Sequence, residues 1–219
     1  MACSSATKAA ALSALFAFLA GATVAMASNA DLFPTAVQQR AKFADADFAI
    51  DTARIAGNAN EAGNVRAGNV GGFPVLGLPG IDTSFALVTL AANAHNLPHT
   101  HPRASETLYL TKGELHVFIV EENSAPPVRV MENTLRPGGV AVFPTGLIHG
   151  QRCVATDGCE FVAVLGSGDP GTVTVAARLC DGPVAAVAAS FGVSEEMAEK
   201  LCGRLPGNPA AGQPESHRR

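Results

Sequence analysis

A chain of 219 residues suits one domain of ordinary size and is short for two. Its net charge of -4, with no basic cluster able to follow phosphates, excludes nucleic acid as a partner. Aromatic residues are 5% and charged residues 16%, so the core must be assembled from small and β-branched side chains, and five cysteines are too few for a disulfide-dense mini-protein.

In chain order, Met1 to Lys8 carries one positive charge and no acid, and Ala9 to Ala25 is an apolar run. The run ends in Ala25-Met26-Ala27, a small-x-small cleavage pattern, which predicts a secretory signal peptide over residues 1–27, cut before Ser28 and taking Cys3 with it. A transmembrane anchor is the rival reading, but the run is slightly short for a span of ~20 residues and no Lys or Arg cluster follows it. An organelle transit peptide is a second rival, though such peptides are usually richer in Arg. Residues 28–72 read as an N-terminal arm followed by a loop. Phe33, Val37, Phe43, Phe48 and Ile50 lie among charges and suggest a short helix or a docked arm, whereas Asn58 to Gly72 holds too little apolar surface to offset its ordering entropy.

From residue 73 to 205 the pattern is that of a single folded domain. Short β-branched and aromatic runs recur at Phe85–Leu90, Thr107–Leu110, Leu115–Glu121, Val128–Met131, Val140–Phe143, Phe161–Leu165 and Thr172–Ala176, separated by Gly, Pro or Asp turns. They predict an antiparallel sandwich or small barrel, an all-β class. Helical periodicity comes only late, over Val184–Phe191 and Ser194–Leu205, with Ser194 as N-cap and Gly203 as the stop. Residues 206–219, with three prolines and a terminal Arg pair, predict a disordered tail.

The chemistry concentrates in His99-Thr-His-Pro-Arg-Ala-Ser-Glu106. Two residues apart on a strand project from one face, so His99 and His101 can reach one point, and Pro102 lets the chain re-enter with Glu106 turned inward. A lone His-x-His pair is more often structural than a ligand, and the bland reading of Glu106 is an exposed strand-edge charge. A metal shell needs a further ligand from another strand. His217 lies in the tail, His95 in a polar turn, and His116 in an apolar strand that favours a hydrogen-bonded structural role. His149 follows Phe143-Pro-Thr-Gly-Leu-Ile, where Pro144 and Gly146 enforce a turn that presents the next side chain to a barrel interior, and is the choice. Three imidazoles and one carboxylate suit Mn, Fe or Ni and tolerate Zn, and the ligands must be unprotonated, so metal loss is expected as the pH falls below about 6.

Pro98-His-Thr-His-Pro-Arg-Ala-Ser-Glu106 with Lys112-Gly-Glu-Leu115, and Gly138 through Pro144-Thr-Gly-Leu-Ile-His149, resemble the two sequence boxes of the germins and germin-like proteins in the cupin superfamily. The resemblance runs from about Gly77 to Leu205. It implies a jelly-roll β-barrel with a short C-terminal helical segment, Mn2+ held by His99, His101, Glu106 and His149, an extracellular location in a cell-wall or apoplast-like space, and a homo-oligomer. It further implies Asn96 as a catalytic residue near the metal, bonding a bound anion or water.

Four departures qualify the transfer. The usual Gly opening the first box is Asn93, the Asn four residues beyond the last ligand is Cys153, and the acid after the Gly of the second box is Gly139. Of the two Asn that oxalate-oxidising germins use, one matches Asn96 and the other falls on Ala86, which ranks oxalate oxidation below superoxide dismutation. A non-enzymatic matrix, storage or receptor-like protein is the alternative from another class. The expected partners are small anionic or oxygen-derived substrates, with no membrane after signal cleavage. Cys153, Cys159, Cys180 and Cys202 allow three pairings, and in an oxidising compartment Cys153–Cys159 and Cys180–Cys202 are favoured over a thiolate metal site, for which no Cys-x-x-Cys spacing exists. With no Asn-x-Ser/Thr sequon, N-glycosylation is not expected.

Overall fold

The computed structural model describes residues 34–123, 127–206 and 210–212; the predicted signal peptide and His217 lie outside these. The chain divides into two units, 1–42 and 43–219. The described part of the first holds helix α1 (Ala36–Arg40), which starts in a capping box: Thr35 Oγ1 accepts from the Gln38 amide at 3.2 Å and Gln38 Oε1 accepts from the Thr35 amide at 2.8 Å.

The second unit is built from two antiparallel sheets. Its strands are β1 (Asn58–Asn60), β2 (Gly63–Gly68), β3 (Ser84–Leu90), β4 (His95–Thr100), β5 (Glu106–Lys112), β6 (Leu115–Val120), β7 (Val130–Leu135), β8 (Val140–Phe143), β9 (Ile148–Cys153), β10 (Cys159–Leu165) and β11 (Val173–Thr174). Helices α2 (Val175–Cys180), α3 (Val184–Phe191) and α4 (Glu195–Cys202) follow, then a short strand β12 (Ala210–Ala211). One sheet runs β1-β2-β3-β10-β5-β8 and the other β11-β4-β9-β6-β7, with β12 also on β4. This is the expected all-β jelly roll with a short helical end. No helix among the described residues is long and apolar enough to cross a membrane.

Alternation along the strands decides what lies between the sheets. In β5, Glu106, Leu108 and Leu110 point inward while Thr107 and Tyr109 point out, and β10 turns Phe161, Ala163 and Leu165 inward in the same way. The barrel core is Val88, Leu90, Leu108, Leu110, Leu115, Val117, Phe143 and Phe161. Leucine and valine supply most of its volume, as the scarcity of aromatics requires.

Several segments differ from the sequence expectation: β9 (Ile148–Cys153) is a strand that the apolar pattern does not predict, and β7 covers Val130–Leu135 where Val128–Met131 is expected. Residues 58–68, read as loop, form the β1–β2 hairpin, and β2 pairs with β3 from Gly63↔Leu90 to Gly68↔Phe85. Backbone pairing and the single inward Val65 suffice for an edge hairpin, and Gly68 fits because an added Cβ would run into the Phe85 ring. The Thr172–Ala176 run is strand only at Val173–Thr174, where it pairs with β4, and then turns into α2. In the tail, Ala210 and Ala211 pair with Asn96 and His95, and Ala210 is fully buried.

The C-terminal helices match the expected positions. Ser194 Oγ accepts from the Met197 amide at 3.3 Å to open α4, and Gly192 at φ 65° ends α3. Cys180 and Cys202 are bonded at the ends of α2 and α4 beside the small cluster Val187, Ala188 and Ala198. Cys153 and Cys159 form the second disulfide, across the turn between β9 and β10.

Candidate metal centre

The first ligand box enters the barrel on β4. Asn93, standing where a Gly is usual, has φ 59°, a left-handed conformation that Asn tolerates better than most residues. Between Asn96 and His99 the pairing with β9 shifts register: Asn96 faces Gln151 and His99 faces His149. The irregularity falls at Leu97-Pro98, and Pro98 has no N–H to give the ladder. Three residues apart would normally face opposite sides, and the shift brings both Asn96 and His99 to the cavity. His95, expected in a polar turn, is instead the first residue of β4, and burial lowers its pKa. His116 lies on β6 with Nε2 3.5 Å from Glu132, away from the site.

The second box delivers His149 as expected. Gly146 sits at φ 82° and donates its amide to His101 O at 3.0 Å, so the Pro144–Leu147 turn is anchored directly to the first box. His149 then begins the inward row of β9, with its ring stacked on Phe143 at 4.4 Å between centroids.

His99, His101, Glu106 and His149 are all buried, at 1–7% exposure, and one ligand atom from each lies within 4.8 Å of the others. Glu106 Oε2 is 2.9 Å from His101 Nε2 and 3.4 Å from His149 Nε2. Each ring turns its Nδ1 to a backbone carbonyl: His99 to Leu97 at 2.7 Å, His101 to Gly171 at 2.6 Å and His149 to Leu147 at 3.0 Å. The Nε2 atoms are thereby left to converge, the arrangement of imidazoles that ligate a metal. His149 Nε2 is buried and, among the described residues, has no hydrogen-bond partner. A buried imidazole nitrogen without a partner costs free energy that a cation would relieve.

The electrostatics fit a cation as well. Burial, and then the neighbouring His149, lower the pKa of His99 to about 4, so its ring is neutral and ready to ligate. For Glu106 burial acts upward, but the hydrogen bond from His101 and the close His149 and His99 rings outweigh it and hold the carboxyl down to about 2. For His101 burial acts downward and is outweighed by Glu106 and the Gly171 carbonyl, leaving its pKa raised. The donor set of three imidazoles and a carboxylate suits a borderline divalent ion.

Beside the cluster lies a cavity of about 440 Å³, walled by Ser84, Ala86, Val88, Asn96, Phe161 and Ala163. Asn96 Nδ2 donates to Gln151 Oε1 at 2.8 Å, and Gln151 is fully buried. Ala86 lies on the same wall, so the second amide of the oxalate-oxidising pattern has no counterpart at that position. Sequence reasoning missed Gln151, Phe143 and Gly171. Gln151, two residues after a ligand on one strand face, could have been found by strand period; Gly171, a carbonyl from a distant loop, carries no side-chain signal.

The cupin family profile matches residues 51–199. The chain belongs to the cupin family. Within it the chain is a germin-like cupin. It is 41% identical over 132 residues to germin-like protein subfamily 1 member 7 of Arabidopsis thaliana, covering 59% of this chain and 56% of that protein. To the putative germin-like protein subfamily 1 member 9 of the same plant it is 42% identical over 119 residues, 54% of this chain and 52% of the relative. The germin-like cupin thus spans about half the length of these curated relatives. An oxalate oxidase structure superposes with a TM-score of 0.68 at 26% identity, covering 77% of this chain and 85% of that one, and so does oxalate oxidase in complex with the substrate analogue glycolate. Oxalate decarboxylase from Bacillus subtilis shares the fold at 23% identity and a TM-score of 0.62, over 75% of this chain and 41% of that one. In this cupin two departures from the germin pattern have structural reasons: Asn93 adopts the left-handed turn, and Cys153 is spent on the disulfide to Cys159.

Proposed function

We propose that the chain is a secreted, manganese-binding germin-like cupin that dismutates superoxide, with two superoxide anions and two protons giving dioxygen and hydrogen peroxide. The observation that carries the reading is the four buried ligand groups converging beside a cavity that also holds the Asn96 amide. His99, His101 and His149 would hold the ion through Nε2 and Glu106 through its carboxylate. A bound manganese ion supplies one-electron exchange between two oxidation states. Asn96, braced by Gln151, orients a small anion or water next to the ion, and the Val88 and Phe161 side of the cavity keeps bulk water away. Manganese, over iron, nickel or zinc, rests on the germin resemblance, since the ligands alone suit several ions.

The two disulfides support secretion, because such bonds persist in oxidising compartments. Exposed Tyr109, Val140, Val142 and Val164, on the outer face of β5, β8 and β10, support a homo-oligomer. Oxalate oxidation is the second reading, favoured by the oxalate oxidase likeness and weakened by Ala86. The test is to purify the protein, measure bound metal, and assay superoxide loss and oxalate-dependent peroxide before and after His149→Ala. Superoxide loss that disappears in the variant, with oxalate-dependent peroxide at background in both, is expected. Superoxide loss surviving the substitution removes the metal from the account, and neither activity in a fully loaded protein points to the non-enzymatic alternative.

A further inference from the structure

Two of the three imidazoles are oriented by the chain immediately before them: His99 and His149 each bond the carbonyl two residues upstream. His101 is not. Its Nδ1 bonds Gly171 O at 2.6 Å, across 70 residues of sequence, with Thr172 Oγ1 at 3.3 Å. The tautomer and tilt of this one ligand therefore depend on where the loop between β10 and β11 lies.

Arg103, two residues beyond His101, fastens that loop. Its backbone amide donates to Pro170 O at 3.1 Å, its Nε to Asp169 O at 2.7 Å and its Nη2 to Asp169 Oδ1 at 2.8 Å. At the far end the Gly166 amide donates to Ser105 O at 3.1 Å. Gly171 stands at φ 67°, and an added Cβ would lie 3.0 Å from Arg103 Nη2 and from Pro102 Cγ. The guanidinium thus lies against the very residue whose carbonyl meets His101.

We propose that Arg103 is a positioning residue of the metal centre: by clasping Asp169-Pro170 it seats the Gly171 carbonyl on His101 Nδ1 and fixes the tautomer that directs Nε2 to the ion. The proposal rests on the reading that the cluster holds a divalent cation. The Arg103–Asp169 pair is half exposed, with side chains 53% and 70% accessible, and such surface pairs add little to folding. Its effect should therefore appear in the ligand and not in the stability of the chain. The same loop lines the cavity through Asp169, Gly171 and Thr172, so by linkage metal binding holds the loop and loop displacement loosens the metal.

The test is chelator-competition titration with Co2+ and Mn2+ on the full chain as wild type, Arg103→Ala, Arg103→Lys, His101→Ala and the Arg103→Ala/His101→Ala double variant. The visible absorption of the Co2+ form and the urea midpoint of the metal-free form are recorded alongside. Arg103→Ala should weaken both ions about tenfold, the scale of losing an outer partner of a ligating His, and change the Co2+ bands. Its metal-free urea midpoint should stay at the wild-type value, and Arg103→Lys should recover part of the affinity, since one amine cannot make the forked contact. In the His101→Ala background the substitution should cost nothing further. Wild-type affinity in Arg103→Ala, or an equal loss with and without His101, would overturn the proposal while leaving the metal centre standing. No binding of either ion by wild type would overturn the metal reading and the proposal with it.

Discussion

Acid should destabilise the metal-free protein through His99, and the size of the effect follows from its burial. Its pKa falls from 6.5 to about 4 on folding, because burial and the adjacent His149 both disfavour the imidazolium. A tenfold change in a protonation equilibrium is worth about 1.4 kcal/mol, so the group contributes about 3 kcal/mol. Between those two pH values the unfolded chain has taken up a proton that the folded chain has not. Stability from this group is therefore full above 6.5 and is lost as the pH falls toward 4. His101 runs the other way: its folded pKa is raised, so its contribution is present below 6.5 and is lost as the pH rises through the folded value. The two act in adjoining windows, His99 below 6.5 and His101 above it, and other carboxyl and imidazole groups titrate across the same raw profile. The difference between wild type and His99→Leu isolates His99. Urea unfolding of chelator-treated protein with its disulfides intact, across this window, should show that difference moving against wild type by about 3 kcal/mol on acidification. A flat difference, or a slope of the opposite sign, would refute the reasoning.

Because Glu106 and the Gly171 carbonyl favour the protonated form of His101, metal binding near pH 6 should release protons, read by calorimetry in buffers of different ionisation enthalpy, and His101→Ala should reduce the number released. Phe143, 1% exposed and stacked on His149, should cost about 3–5 kcal/mol when cut to Ala, and metal should dissociate faster from the variant; urea unfolding and chelator-quench kinetics read the two effects. Replacing Cys180 and Cys202 by Ser removes a cross-link of sequence separation 22 and should cost about 3 kcal/mol in unfolding free energy, while bound metal, held by strands of the barrel, should stay at the wild-type level by elemental analysis.

The legible parts of this protein were those where side-chain period and backbone demand coincide. Leu115–Val120 and Val140–Phe143 read directly as strands because β-branched and apolar residues line them. Ser194 and Gly203 announced a helix start and a helix stop by cap chemistry alone. Of the candidate ligands, His149 was separable from His95 and His116 because Pro144 and Gly146 give its approach a defined turn. The β1–β2 hairpin was not legible, since Asn58–Asn60 and Gly63–Gly68 are held by backbone pairing that leaves no apolar signature. Asn96 entered through a family likeness, and only the register shift at Leu97-Pro98 explains how it reaches the side that His99 occupies. The bond from Gly171 to His101 depends on a backbone carbonyl, a group every residue carries.

The measurement that bears most directly on the metal centre is elemental analysis of the purified protein, wild type beside His149→Ala, after dialysis against metal-free buffer at neutral pH. Close to one manganese ion per wild-type chain is expected, with most of it lost when the buried His149 Nε2 is removed. Equal metal in the two proteins, or none in wild type, would contradict a metal centre built on these four ligands.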